Sequence, residues 1–380
     1  MDAVWRHNGR HCLGKITQLI QLKIAHTAKL SLPPVEPIQY MQRCLELAQL
    51  GQGNVAPNPM VGCVIVHDGI IIGEGYHQHY GQAHAEVNAI RSVKNQALLP
   101  QSTLYVSLEP CAHHGKTPPC VDLILEHRIP EVYIACQDSF EHVAGKSIEK
   151  LRKAGVKVNV GLLENEAIEL NKRFFTFHAK QRPYIILKWA ESHDGFVDAS
   201  RISPTTPPQS ISCDAANVLS HHWRSQEAAI MVGARTATLD NPSLTTRLAS
   251  GKNPTRIVID RYATLPASLH MFDGAAPTLI INQVKSGEIG QNRWIQVSSV
   301  DDLHGVMHAL WQAEIQSIIV EGGPTLHASF IRQGLWDEVR KYVSPTLLHS
   351  GISSAHLHAN PIEIQSIGSD SLYIYTQHRA

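Results

Sequence analysis

The sequence predicts an α/β protein made of two successive units. From residue 37 onward, short runs rich in Val, Ile, Leu and Tyr alternate with longer segments of helical period, the signature of sheets covered by helices. The chain has 380 residues, which at roughly 100–200 residues per domain gives two domains. A first set of elements closes near residue 165, and a second begins at Arg182-Pro183.

The elements follow in order. Residues 1–36 read as a loose N-terminal extension: residues 16–30 form a weakly amphipathic segment, and Pro33-Pro34 ends it. They lack the uninterrupted apolar core and small-residue cleavage site of a signal peptide. Ile38, Met41, Leu45 and Ala48 then share one face of a helix. Residues 61–77 (VGCVIVHDGIIIGEGYH) are two strands joined by the hairpin dipeptide Asp68-Gly69. HAEVNAIRSV is helical, TLYVSL a strand, PPCVDLILEH a helix with proline at its start, and VYIAC a strand. IEKLRKAG is a helix ended by Gly155, and VKVNV closes the unit. The first unit spans 37–165 and 166–182 is a connection. In the second unit (183–380), PYIILKWA, AAIMVG, TRIVID, TLIIN, SIIVEGG and DEVRKYVSP are strands. CDAANVLSHHWR, DDLHGVMHALWQA (with capping acids at its start) and PTLHASFIRQGL are helices. Residues 200–210, rich in Pro, Ser and Thr, form a loop inside this unit.

Composition excludes several classes of function. Lys+Arg and Asp+Glu are both 33, so the net charge is zero and the broad basic field of a non-specific nucleic-acid binder is missing. Mean hydropathy is −0.13, and no apolar run reaches the ~20 residues of a membrane span. Seven thinly spread cysteines, an odd number, argue against a secreted disulfide framework and for a reducing, cytoplasmic setting.

The chemistry is densest in the first unit. His84-Ala85-Glu86 opens a helix, Glu109-Pro110-Cys111 closes a strand and opens the next helix, and Cys120 follows nine residues after Cys111. One imidazole and two thiolates suit tetrahedral zinc with the fourth position left for water. Helix N-termini favour thiolates. Zinc brings the pKa of water towards ~7, and a carboxylate two residues from the histidine can shuttle the proton. Each piece alone is weak, and a fourth ligand from His113 or His114 would instead close the site as a structural one. The residues leave both readings open. In the second unit, Gly322-Gly323 ahead of a helix beginning at Pro324 offers amides to a phosphate, although an EGGP turn is more often plain punctuation. No G-x-G-x-x-G is present, so an ordinary dinucleotide fingerprint is missing.

NPMVGCVIV, GYHQHYGQAHAEVNAI and LYVSLEPCAHHGKTPPC together resemble the deaminase half of the bifunctional RibD/RibG family of riboflavin biosynthesis. The zinc deaminase signature is H-x-E followed by P-C-x-x-C; here eight residues separate the cysteines, a spacing typical of this family. RPYIILKWAESHDG, VGARTATLDNPSLTTR and IIVEGGPTLHASFI resemble its reductase half. The resemblance implies a cytidine-deaminase-like three-layer domain followed by a dihydrofolate-reductase-like α/β domain. It implies His84, Cys111 and Cys120 as ligands of one zinc ion and Glu86 as the catalytic proton shuttle. Ser107 and the backbone near Glu109 are candidates to hold the base. For NADPH it implies Ala190, Thr236, Asp240, Gly323, Pro324 and Thr325; for the substrate it implies Lys188, Leu244, Arg247 and Glu321, with Arg247 gripping a phosphate. Asp240 and Glu321 are also candidate proton donors.

The implied reactions are hydrolytic deamination of 2,5-diamino-6-ribosylamino-4(3H)-pyrimidinone 5′-phosphate and then NADPH-dependent reduction of its ribosyl chain, giving 5-amino-6-(5-phosphoribitylamino)uracil. The partners are small molecules, with no nucleic acid and no membrane, and the family suggests a homodimer through the reductase half. Departures stand at Pro208, Ser210 and Asn217, where the family carries Ser, Trp and Arg, and at residues 138–141. They motivate an alternative, a deaminase with a degenerate reductase domain.

Overall fold

The computed structural model describes residues 36–112, 118–138, 145–201, 203 and 205–377. Apart from Glu36, the expected N-terminal extension lies outside them, as do His113, His114 and residues 139–141.

The first unit is a five-stranded sheet between two layers of helix. Helix α1 (Pro37–Gln49) precedes the hairpin of β1 (Gly62–His67) and β2 (Ile70–Tyr76). Asp68 and Gly69 both take positive φ, 48° and 74°, as the two-residue hairpin turn requires. Then come α2 (Ala85–Ser92), β3 (Thr103–Leu108), α3 (Cys120–Glu126), β4 (Glu131–Cys136), α4 (Lys146–Lys153) and β5 (Lys157–Val160). The strand order is β2-β1-β3-β4-β5, with β3, β4 and β5 parallel. Along β1, Cys63 and Ile65 pack beneath α2, α3 and α4, while Val64 and Val66 pack beneath α1. Both faces are covered, which is why this strand reads as an unbroken apolar run.

Close approach of backbones sets the helix positions. A Cβ on Gly62 would lie 2.0 Å from the Cys44 carbonyl oxygen of α1, and one on Gly75 would lie 2.3 Å from the Ala89 nitrogen of α2. This contact corrects the expected apolar face of α1. The buried stripe is Tyr40, Met41, Cys44, Leu47 and Ala48, because Gly62 seats Cys44 and Ala48 innermost, and Ile38 is left 47% exposed.

Residues 166–182, read as a connection, are mostly helical: α5 (Glu164–Leu170) and α6 (Lys172–Lys180). Ala167 of α5 belongs to the first core, and Phe177 of α6 lies against Trp311 of the second unit. Between the two helices, Asn171 accepts the Met60 N–H (2.8 Å) and donates to the Met60 carbonyl (2.9 Å).

The second unit carries a ten-stranded sheet, ordered β11-β12-β10-β9-β8-β13-β6-β14-β17-β16. The expected strands are β6 (Tyr184–Glu191), β8 (Ala229–Gly233), β9 (Thr255–Ile259), β10 (Thr278–Asn282), β13 (Ser317–Val320) and β14 (Glu338–Val343). Together with β12 (Asn292–Gln296) they run parallel. Antiparallel strands flank them: β11 (Gly287–Ile289) at one edge, β17 (Asp370–Thr376) and β16 (Glu363–Ile367) at the other. A separate ribbon pairs β7 (Phe196–Asp198) with β15 (Ile352–Ser353). Helices α7 (Asp214–Gln226) and α8 (Ala234–Asp240) cover one face; α9 (Leu303–Gln312) and α10 (Pro324–Arg332) cover the other. The acids expected to cap α9 do not do so: Asp302 makes no side-chain cap, and the Leu303 N–H is taken by Gln333 Oε1 at 3.1 Å.

Buried ion pairs join α6 to the second unit. Arg173 of α6 donates through Nε to Glu227 at 2.8 Å, and Lys172 reaches Glu338 at 3.0 Å. The Glu227 side chain has no exposed surface.

Candidate active sites

In the first unit the N-terminus of α2, the end of β3 and the N-terminus of α3 converge. His84 immediately precedes α2, and Cys120 is the first residue of α3. Cys111 does not open a helix as expected. It lies in irregular chain after β3, and its sulfur receives the first amide of α3, Cys120 N–H, at 3.2 Å. His84 Nδ1 stands 3.4 Å from Cys120 Sγ and 3.6 Å from Cys111 Sγ. The three donor atoms lie within 4.8 Å of one another, and among the described residues no other group of three His, Cys, Asp or Glu side chains could hold a metal ion. A soft, partly buried N/S₂ set of this kind suits zinc.

Electrostatics at this centre follow from burial and crowding. A hydrogen bond from Cys120, and then one involving His84, pull the Cys111 thiol down to about 4 against the opposing effect of burial. The Cys120 thiol moves up, first because of Cys111 and then because of burial. Glu86 is 3% exposed, and burial followed by the charge of Cys111 pushes its carboxyl up to about 7. A carboxyl poised near neutrality both accepts and returns a proton.

Two residues here were not singled out from the sequence. His77, 2% exposed, donates from Nδ1 to the Ala83 carbonyl (3.1 Å), leaving Nε2 to accept from Asn58 Nδ2 (3.1 Å). Its ring meets His84 edge-on at 5.4 Å. The only sequence signal was a histidine ending β2 shortly before the H-x-E turn. Ser107, a candidate to hold the base, is fully buried, and its hydroxyl accepts the Gly62 N–H at 3.0 Å, so this oxygen is engaged within the sheet. The Glu109 carboxylate takes N–H groups from Asp138 (3.3 Å), Gly145 (3.0 Å) and Ser147 (3.2 Å), holding all three beside the end of β3.

In the second unit a cleft of about 910 Å³ opens at the C-terminal ends of the parallel strands, where open α/β sheets place ligands. It brings together Lys188, Ala190, Thr236, Asp240, Glu321, Gly323, Pro324 and Thr325. The Gly323 N–H donates to Thr236 Oγ1 (3.2 Å), and no side chain caps α10. Gly322 lies so near β8 that a Cβ would be 2.5 Å from the Val232 Cα. Pro208, Ser210 and Asn217 also line this cleft.

Two expected substrate residues do not line it. Leu244 is 4% exposed and packs into the core with Ala237, Val258 and Met271. Arg247 is exposed; its N–H donates to His221 Nδ1 (2.9 Å) and its guanidinium reaches only Thr245 Oγ1 (3.4 Å). Arg224, which was not singled out, lies closer in and grips Glu321 through Nε (2.8 Å) and Nη2 (2.7 Å). Burial would raise the Glu321 carboxyl, but Arg224 and Lys188 outweigh it and hold it at about 2. Arg201, also unforeseen, pairs with Asp198 and Asp240 and donates to the Thr206 carbonyl (3.1 Å), tying the 200–210 loop to the cleft wall.

Fold and donor set define a two-domain enzyme, a zinc-type deaminase joined to a reductase. The family model of the cytidine and deoxycytidylate deaminase zinc-binding region matches residues 35–136, and that of the RibD C-terminal domain matches 183–359. The riboflavin biosynthesis protein RibD of Bacillus amyloliquefaciens is 40% identical over 319 residues, covering 81% of this chain and 84% of that protein. The RibD of Aquifex aeolicus is 35% identical over 354 residues, 89% of this chain and 98% of that protein. A solved diaminohydroxyphosphoribosylaminopyrimidine deaminase/5-amino-6-(5-phosphoribosylamino)uracil reductase of Thermotoga maritima superposes with a TM-score of 0.80 at 33% identity, over 89% of this chain and 97% of that one. The chain belongs to the RibD family, the bifunctional deaminase–reductases of riboflavin biosynthesis.

Proposed function

We propose that the unit 37–165 deaminates 2,5-diamino-6-ribosylamino-4(3H)-pyrimidinone 5′-phosphate and that the unit 183–380 reduces the product with NADPH to 5-amino-6-(5-phosphoribitylamino)uracil. The observation that carries the first half is the convergence of His84, Cys111 and Cys120 beside a buried Glu86. In this reading those three hold one zinc ion, which supplies Lewis acidity that makes water nucleophilic near neutral pH. Glu86 would accept one proton of the attacking water and deliver it to the ring nitrogen, then take the second from the hydroxyl now on the ring carbon and deliver it to the departing amine, which leaves as ammonia. Asn58 and His77 hold the base; the uncharged His77 that burial favours suits a neutral ring edge. Binding zinc requires both thiols deprotonated, so loading releases protons.

In the reductase cleft the uncapped start of α10, at Gly323, Pro324 and Thr325, fits a phosphate of NADPH, with Thr236, Ala190 and Asp240 beside it. NADPH supplies the hydride. Lys188, with Glu321 fixed by Arg224, orients the ribosyl substrate from the β6 side. Leu244 would act through its backbone and Arg247 as an outer phosphate contact. Intact lining of the cleft at Gly323, Thr236 and Lys188 favours an active reductase over a degenerate one. A cytoplasmic place fits the free cysteines among the described residues. Association of two copies through the reductase half fits the exposed Ile364 on edge strand β16.

The test is a two-part assay of zinc-loaded protein: ammonia release from the diaminopyrimidine nucleotide, then loss of NADPH absorbance. Ammonia without NADPH consumption would overturn the reductase reading. No ammonia from zinc-loaded protein would overturn the substrate.

A further inference from the structure

The loop 50–61 connects α1 to β1 and ends beside the candidate zinc site, where Asn58 Nδ2 meets His77 Nε2 at 3.1 Å. Inside the first unit, the Asn58 N–H donates to the Val55 carbonyl (2.8 Å), the Asn54 carbonyl takes the Tyr80 N–H (3.1 Å), and Val55 packs with Ala48 and Met60; further ties come from outside it. From the connection, Asn171 holds Met60 on both its N–H and its carbonyl. From the second unit, the Gln316 side-chain amide donates to the Pro57 carbonyl at 2.9 Å. Gly53 lies against the end of α7, where a Cβ would be 2.7 Å from the Ser225 carbonyl oxygen.

Gln316 is built for this contact. It is 5% exposed, and its own carbonyl takes the Tyr184 N–H (2.9 Å), so its backbone is locked at the start of β13. One bond along the chain from its acceptor stands Asn58. A side chain of the reductase unit therefore reaches within one residue of a group that faces the deaminase centre.

We propose that Gln316 is a positioning residue for deamination, acting across the domain boundary by fixing Pro57 and hence the direction of the Asn58 amide. This rests on the reading that Asn58 and His77 hold the pyrimidine. Gln316 touches neither substrate nor metal. Its removal frees a loop that then samples orientations in which Asn58 no longer donates to His77 or to the base. Misplacement on this scale lowers rate without removing any reacting group.

The experiment uses the full-length, zinc-loaded protein and the diaminopyrimidine ribonucleotide. Gln316→Met keeps length and packing and loses the donor; Gln316→Glu keeps shape and turns the donor into an acceptor facing a carbonyl. Both should lower deaminase kcat/KM about 5- to 10-fold, chiefly by raising KM. Zinc content and reduction of the pre-deaminated substrate should stay at wild-type values. In an Asn58→Ala background, Gln316→Met should cost almost nothing more, because the effect travels through Asn58. Full deaminase activity in Gln316→Met would overturn the proposal. So would parallel loss of both activities with a lowered melting temperature, or a full additional loss in the Asn58→Ala background, since each marks plain structural support. Absence of ammonia from the wild-type protein would instead sink the substrate reading on which the proposal stands.

Discussion

Adding one methyl group at Gly75 should disable deamination from the strand beneath α2. Gly75 sits on β2 beneath α2, and a Cβ there would stand 2.3 Å from the Ala89 nitrogen and 2.7 Å from the Ala85 carbonyl oxygen. Both are main-chain atoms, so no side chain can swing aside. Restoring ordinary contact at 3.4 Å requires α2 to retreat by roughly 1 Å, since packed interiors have no room to absorb the change. The first turn of that helix carries Glu86, and His84 immediately precedes it. Metal ligands tolerate only about 0.2 Å of error, so Gly75→Ala should weaken zinc binding by about 10–100-fold. Deamination by the zinc-saturated variant should fall ~100-fold. Overpacking should also cost about 1–3 kcal/mol of stability. The assay is zinc competition against a chelator, with ammonia release on one aliquot and NADPH consumption with the pre-deaminated substrate on another. Reduction should be untouched. A Gly75→Ala protein with wild-type zinc affinity and wild-type ammonia release would refute the claim that α2 is wedged rigidly against β2.

Other perturbations separate the two halves further. Glu86→Gln should retain zinc and reduction while ammonia release falls about 10²–10⁴-fold, read as kcat at saturating substrate. Stripping zinc with a strong chelator should abolish ammonia release and leave NADPH consumption intact. Glu321→Gln leaves Arg224 and Lys188 as buried cations without their anion, a loss of about 3–5 kcal/mol visible as earlier melting of the reductase half. Glu338 is held at about 2 because Arg340, Lys172 and Arg173 outweigh the opposing effect of burial. Its folded value is depressed, so its stabilisation is complete above the ordinary carboxylate range and is lost as pH falls towards 2. Melting temperature should fall over that window, and Glu338→Gln should flatten the fall.

The three side chains that converge at the candidate metal centre were legible because three short motifs, H-A-E, E-P-C and T-P-P-C, sit at turns between elements that the apolar pattern marks clearly. The central strands were legible for the same reason: β6, β8, β9, β10 and β13, buried on both faces, each carry three consecutive residues drawn from Val, Ile, Leu and Met. The edge strands were not. EIQSI of β16 is exposed almost throughout, and β11 entirely, so neither carries an apolar alternation to read. Asn58, His77, Arg201 and Arg224 escaped for a different reason. Each is recruited by a partner far along the chain or across a turn, and no spacing rule encodes such meetings. Arg247 shows the converse: it stands at a motif position, but the fold hands the inner contact with Glu321 to Arg224 on a neighbouring helix.

The ion pairs between the units bear on how such a protein can be divided or recombined. Arg173 and Lys172 belong to the connecting helix, while their anions, Glu227 and Glu338, belong to the second unit. A cut placed after residue 170 would leave α5, with Ala167 of the first core, on the deaminase fragment and the cations on the reductase fragment, where they keep their partners. A cut placed after residue 180 would give them to the deaminase fragment and strand the buried Glu227 carboxylate in the other, while Glu338 would keep Arg340 and the Tyr184 hydroxyl. Gene fission or domain shuffling is therefore tolerated on one side of the α5–α6 junction and penalised on the other, and a transplanted deaminase module must also bring a substitute for Asn171.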